Sequence, residues 1–400
     1  MGLLKHADVY WKFMGQCTQC GYCKGACSSL ENNELTLGGI ARAMLDAERG
    51  ASTIEDLRDA ILVNAPLVNA VRGCFFCTSC KNTCFAHNDV CDLIYHARVD
   101  FLNLGLIPRE SYSSVLVDQE WDIFTAYRAI HGIGYSDLTR HKATETSEAA
   151  SDCEIAFFPG CSLAAYGPEL TREIFACLEE CGAGKVTMLD SCCGSSLKSA
   201  GFFERAEALC DRNASEIDAA GAKQLVCVCP GCANDMKRAL GVRGMDIQVT
   251  SLSAFLAEHG FEMKKPLPET PLVFSKSCQD RDGSYLDETR AILGVGEETP
   301  AVFKGCCGAG GAVSAFNPDR QAEQADMKLS FVPDGSTVVT MCPTCTYTYA
   351  FRQMMSPRDI QSKHYTELLF ENQFDWEKVF AQLGGMWYGE YGPWLAQVFN

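Results

Sequence analysis

Four hundred residues, 47% of them hydrophobic, exceed what one small core needs; they suit two or three folded domains and exclude wholesale disorder. The formal charge of −17 argues against a nucleic-acid partner, because phosphate binding asks for a basic face, and it reads as solubility. Twenty-four cysteines leave disulfides, zinc or iron–sulfur clusters. No secretory signal opens the sequence, so the thiols are expected in a reducing compartment. His6 breaks the myristoylation pattern, and no run of about 18 apolar residues is long enough to span a membrane.

Residues 1–16 place Leu3, Leu4, Val9, Trp11, Phe13 and Met14 on a mixed apolar stripe. It fits a short helix that packs on its own domain or docks on a membrane subunit. Two CxxCxxCxxxC runs follow, Cys17, Cys20, Cys23, Cys27 and then Cys74, Cys77, Cys80, Cys84. This is two-cluster ferredoxin spacing, without the proline that often follows the fourth cysteine. In that arrangement three thiolates of each run hold one [4Fe–4S] cubane and the fourth crosses to the other. The spacing predicts Cys17, Cys20, Cys23 and Cys84 on one cubane, with Cys74, Cys77, Cys80 and Cys27 on the second. Zinc is satisfied by four ligands, usually two CxxC pairs, and fits two runs of four poorly. Between the runs, apolar positions three and four apart over 35–45 and 54–62 mark helices, the second capped by Ser52 or Thr53. Residues 1–105 therefore read as an all-helical ferredoxin domain. Cys91 lies outside both runs and reads as a buried apolar thiol. Residues 106–150 are a connector, helical over 122–130, with a polar, aperiodic linker over 139–148.

From 151 the pattern turns to α/β. Short apolar strands at 154–158, 185–189 and 224–228 alternate with helices at 168–181 and 202–220. Each strand runs into cysteine: Cys161, then Cys192-Cys193-Gly194, then Cys229-Pro230-Gly231-Cys232. Open α/β sheets bind ligands beyond strand C-termini, and helical crossovers imply parallel strands. The same order returns with strands at 271–275, 301–304 and 337–341 before Cys278, Cys306-Cys307-Gly308 and Cys342-Pro343-Thr344-Cys345. The first set reads C-x30-CC-x35-CxxC and the second C-x27-CC-x34-CxxC. Each set of five is expected to form one polynuclear metal site. Two parallel α/β modules, 151–270 and 271–400, are expected as a pseudo-twofold pair with their cysteine edges facing. Gly305 to Gly311 invites a dinucleotide reading, but Val313 stands where the third glycine belongs. These glycines read as room left for metal coordination. Cys227 is expected to face away from the site and fill core; Cys153, Cys177, Cys181 and Cys210 read as structural. The tail, 371–400, carries Phe374, Trp376, Phe380, Trp387, Tyr388, Tyr391, Trp394 and Phe399. It either folds back on the second module or meets a partner.

The double five-cysteine repeat behind a two-cluster ferredoxin resembles the catalytic subunit of heterodisulfide reductase, of the type with that ferredoxin fused in front. The resemblance covers nearly all the chain. It implies a non-cubane [4Fe–4S] cluster on Cys161, Cys192, Cys193, Cys229 and Cys232, and another on Cys278, Cys306, Cys307, Cys342 and Cys345. It implies electrons from a membrane cytochrome b-type subunit or a quinol, and a cytoplasmic location on the inner face of the cell membrane. The chemistry agrees: splitting a disulfide takes two electrons and two protons, while such clusters pass one electron each. Relatives in glycolate and lactate oxidation have one damaged repeat, and here neither has lost a cysteine. Ser277 and Gln279 flank Cys278 where many relatives have proline and histidine, which leaves the disulfide and the proton donor open. Besides the disulfide-reducing enzyme, the resemblance allows a non-catalytic conduit. That conduit would be one component of a transmembrane redox complex linking a periplasmic cytochrome and quinones to cytoplasmic acceptors.

Overall fold

The computed structural model describes residues 2–27, 30, 33–107, 123–139, 153–181, 185–303, 305–389 and 392–393. The linker expected over 139–148 lies outside these residues except for Thr139, as do Tyr391, Trp394 and Phe399 of the tail. The N-terminal part is helical. In the helix Leu37–Gly50, Leu37, Ile40, Ala41, Met44 and Leu45 recur at helical spacing and are all buried. Thr36 caps it, its hydroxyl accepting from the Gly39 amide. Thr53 and Asp56 close a capping box on the helix Ile54–Leu62. The helix Val90–Asn103 runs through this half and buries Leu93, Ile94, Ala97 and Phe101. Truncating a fully buried side chain such as Ile40 to alanine costs about 2–5 kcal/mol.

Two four-stranded parallel sheets follow. β1 (Ile155–Phe158), β2 (Val186–Met188), β3 (Gln224–Cys227) and β4 (Gln248–Ser251) lie in the order β2-β1-β3-β4. β5 (Leu272–Ser275), β6 (Ala301–Val302), β7 (Ser336–Thr340) and β8 (Ile360–His364) repeat it as β6-β5-β7-β8. Every pairing is parallel. β4 and β8 are the strands that the sequence did not announce. Each sits at a sheet edge and leaves exposed or half-buried positions, so neither carries an apolar run.

The sheets share one core. Ile155 and Phe157 of β1, Phe274 of β5 and Val339 of β7 belong to the same apolar cluster. The helix Trp376–Tyr388 seals this cluster with Val379, Leu383 and Met386, while Tyr127 of the connector helix Ile123–Ile130 hydrogen-bonds Gln382. The described aromatic residues of the tail thus mostly fold back, though Tyr388 stays exposed. Arg98 ties the halves together. Its buried guanidinium donates to the carbonyls of Val71, Arg72 and Cys74 in the helical half, Ser199 in the first sheet module and Gly311 in the second. Among the described residues, no helix is long and apolar enough to cross a membrane.

Candidate metal centres

None of the 24 cysteines is in a disulfide. Cys17, Cys20, Cys23 and Cys84 line one cleft together with Phe13, Leu37 and Val90. A side chain at Gly38 would stand 2.6 Å from the Cys17 sulfur, so glycine leaves that sulfur room. Cys27, Cys74, Cys77 and Cys80 form a second, deeper group with Cys91 beside them. The two loops share a backbone signature. Gln19 and Phe76, each two residues after the first cysteine, have φ of 56° and 52°. Gly21 and Thr78, each one after the second cysteine, have 82° and 62°. Left-handed backbone at non-glycine residues is costly and persists where surroundings impose it. Burial drives the Cys74 and Cys80 thiols far up, and the Arg98 charge partly opposes this at Cys74. A thiolate in such a place needs positive charge beside it, which an iron cluster supplies.

The ten cysteines of the sheet modules meet at the facing edges. Cys161 opens the helix Cys161–Tyr166 after β1, and Cys192-Cys193 follow β2. Cys229 precedes the helix Pro230–Val242, whose Pro230 fills the first turn where no N–H is needed. Cys278, Cys306-Cys307 and Cys342 with the helix Pro343–Met355 repeat this in the second module. The sulfurs form a strip. Cys161 lies 3.8 Å from Cys192, Cys229 3.7 Å from Cys342 across the modules, and Cys307 3.1 Å from Cys345. Interactions of Cys192 with Cys193, Cys193 with Cys232 and Cys232 with Cys229 complete one half. Those of Cys342 with Cys345, Cys307 with Cys306 and Cys306 with Cys278 complete the other. The order is mirrored about Cys229 and Cys342.

Matched electrostatics accompany the matched order. Thiol donors at Cys161 and Cys278 hold Cys192 and Cys306 well below the ordinary thiol range, and the amides of Gly194 and Gly308, each 3.4 Å from its sulfur, act the same way. Thiolate is the metal-ligating form. Both glycines need the left-handed backbone, φ 80° and 83°, and a side chain at Gly308 would meet the Gln321 carbonyl at 2.7 Å. Among the described residues, no three Cys, His, Asp or Glu side chains are arranged to hold a single ion. The donor groups are all sulfur, mostly buried or half-buried, and extended rather than gathered on a point, which fits iron–sulfur groups.

Two expectations change. Cys227 fills core, but it packs in the same cluster as Cys193, Cys229 and Cys232 rather than facing away from them. Gly310 and Gly311 leave room for protein, not metal. Side chains there would stand 2.3 Å from the Phe75 carbonyl and 2.0 Å from the Cys74 carbonyl. The Cys74–Cys80 loop is therefore seated on the second module. Gln279 donates to the Phe76 carbonyl at 3.1 Å and Thr78 to the Cys278 carbonyl at 3.5 Å. Sequence reasoning missed the polar residues that folding brings to the thiols. Lys328 is buried beside Gly305, and Tyr285 reaches the first module with its hydroxyl buried and unpartnered. His364 is fully buried near Cys342.

Comparison with known proteins defines the class. The cysteine-rich domain family CCG matches residues 155–237 and 274–349. Those spans contain β1 to β3, the end of β5 with β6 and β7, and every cysteine of the strip, from Cys161 to Cys232 in the first and from Cys278 to Cys345 in the second. The chain carries two CCG domains and is distantly similar to heterodisulfide reductase subunits. It is 23% identical over 329 residues to the D-type subunit of the dihydromethanophenazine:CoB–CoM heterodisulfide reductase of Methanosarcina barkeri, covering 75% of this chain and 77% of that one. The Methanosarcina acetivorans protein of the same name is 24% identical over 314 residues, 72% of this chain and 73% of that one. A subunit of the fumarate reductase (CoM/CoB) of Methanothermobacter marburgensis is 28% identical over 200 residues, 48% of this chain; the match spans 40% of that relative's length.

Proposed function

We propose that the chain is an electron-transfer oxidoreductase of heterodisulfide reductase type. In this reading the domains are a helical ferredoxin over 1–105, a connector over 106–150, and CCG modules over 151–270 and 271–400. Cys17, Cys20, Cys23 and Cys84 hold one cubane cluster, and Cys74, Cys77, Cys80 and Cys27 the other. Each five-cysteine set holds a non-cubane [4Fe–4S] cluster. The clusters supply one-electron steps, so a pair of them matches the two electrons that a disulfide takes.

The observation that supports this reading most is the mirrored strip of ten thiols, intact in both modules and continued by Cys77 beside Cys306 into the ferredoxin loop. At the far end Cys20 is exposed, and Tyr22 and Phe85 stand exposed beside it, ring centroids 5.1 Å apart. Exposed aromatic residues next to a redox site support contact with an electron-donating partner there. The Methanosarcina relatives are named for dihydromethanophenazine as well as for the disulfide. A membrane-borne donor of that kind would place this chain on the inner face of the cell membrane.

Anaerobic protein is expected to hold about 16 iron atoms per chain, four in each of four clusters. With reduced viologen as donor, a panel of disulfides should include one that is cleaved to two thiols. Iron near 8 sinks the paired centres. Full iron with silence toward every disulfide returns the chain to the role of an electron conduit.

A further inference from the structure

Lys328 is 2% exposed, and its ammonium donates to the carbonyls of Lys276 at 2.7 Å and Gly305 at 3.3 Å. Those carbonyls lie in the loops leading into Cys278 and Cys306. Among the described residues, no carboxylate comes within ion-pair distance of it. A buried charge held by neutral carbonyls persists where something of opposite sign offsets it. The groups nearby that can carry that sign are the sulfurs of the second set, which follow the two carbonyls in sequence.

The first module has no such cation at the matching place. Asn213 donates to the Cys192 carbonyl at 2.9 Å, and Gln324 donates to the Cys306 carbonyl at 3.2 Å, so the two residues hold equivalent positions. About one helical turn beyond each stand Ile217, fully buried among apolar side chains, and Lys328. A second difference follows the CxxC pair. Asp235, three residues after Cys232, is a half-buried carboxylate near Cys193, with Lys198, Arg238 and Arg281 around it. The matching position after Cys345 is Thr348, whose hydroxyl donates to the Thr344 carbonyl at 2.9 Å.

On the reading that both sets hold clusters, we propose that Lys328 is a positioning residue whose charge makes the second-module centre the stronger electron acceptor of the pair. One electron leaves the ferredoxin half and settles on the second module before the first, with no bond made or broken. The seating of the Cys74–Cys80 loop on the second module gives the same order by proximity.

The test is a redox titration of the anaerobic holoprotein followed by paramagnetic resonance. The couple that survives when Cys192 and Cys193 are changed to serine belongs to the second module, and in the wild type it should be the more positive of the two. In Lys328→Met the reduced-to-oxidised ratio of that couple, read at the wild-type midpoint, should fall at least tenfold, which is about 59 mV for one electron. Lys328→Arg should restore most of the shift, and the first-module couple should not move. Equal or reversed midpoints in the wild type overturn the proposal, as does an unmoved couple in an iron-replete Lys328→Met. If that variant loses iron, the wild-type order decides. Wild-type iron near 8 has a different meaning, since the paired centres themselves then fail and this proposal falls with them.

Discussion

The first CCG module carries its five thiols at the same strand ends as the second, with the same glycine amide 3.4 Å from the second thiol of each set. What surrounds the thiols differs. After Gly308 the chain stays open through Gly310 and Gly311 and receives the ferredoxin loop against its backbone. After Gly194 the helix Ser195–Ala200 occupies the matching stretch and meets the helix Val90–Asn103 through Gly201, where a side chain would stand 2.8 Å from Leu102. Lys328 stands where the first module has Ile217, and His364 at the end of β8 stands where it has Ser251 at the end of β4. The two modules match in the thiols and differ in what surrounds them, so a symmetric set of thiols sits in an asymmetric field.

Removing ligands from either module should break the symmetry most visibly. Cys306 and Cys307 changed to serine should drop iron from about 16 to about 12 per chain and cut the first-module centre off from the ferredoxin half. The same change at Cys192 and Cys193 should cost the same iron yet leave the second-module centre reducible through the ferredoxin clusters. Freeze-quench spectra after rapid reduction distinguish the two, and equal behaviour would mean that electrons arrive by either module.

The shared seat comes next. Arg98→Met strips five carbonyls of a buried charged donor, and breaking such a group costs about 3–5 kcal/mol. Arg98→Lys should recover only part, because one ammonium cannot reproduce the guanidinium fork. Anaerobic urea unfolding measures both. Gly311→Val acts on the second module's contact with the Cys74–Cys80 loop and leaves the first module's thiols in place. Its φ of 71° and the Cys74 carbonyl 2.0 Å from a new Cβ leave no room, so the loop must lift. A cost of about 3 kcal/mol is expected for such a clash, together with slower electron passage into the second module. Ser196→Val, exposed in the matching stretch of the first module, should change neither.

These contrasts show which features the sequence exposes. The grouping of the thiols is read directly, because the repeated cysteine spacing places each pair just beyond a strand end. The apolar strands β1, β3, β5 and β7 are likewise read from runs such as Ile155 to Phe158. β4 and β8 hide because an edge strand needs no continuous apolar run. Lys328 and Arg98 hide for another reason: each sits in a helix whose periodicity it does not disturb, and a charge in such a pattern reads as solvent-facing. Only the packing of other elements over them shows that they are buried. The two glycines after Gly308 were legible as a demand for space, and the demand came from a neighbouring backbone 235 residues away at its nearest, Gly310 to Phe75.

The smallest expected contrast is acid sensitivity confined to the second module. His364 is 0% exposed and accepts or donates through Nδ1 to the Thr366 hydroxyl at 2.7 Å; burial pushes its pKa down to about 4. In the unfolded chain the ring titrates near 6.5. Between those values the unfolded state binds a proton that the folded state refuses, so stability falls as pH falls. From pH 7 to pH 5 the loss attributable to this residue is about 2 kcal/mol. His364→Gln keeps a polar side chain without the titration and should flatten that part of the urea-unfolding profile. The matching residue of the first module, Ser251, donates to the half-buried Glu288, and its substitution would disturb that carboxyl, so the control is the exposed Ser196, where Ser196→Ala should leave the slope between pH 7 and pH 5 unchanged. A slope that survives His364→Gln would place the acid sensitivity elsewhere and remove this difference between the modules.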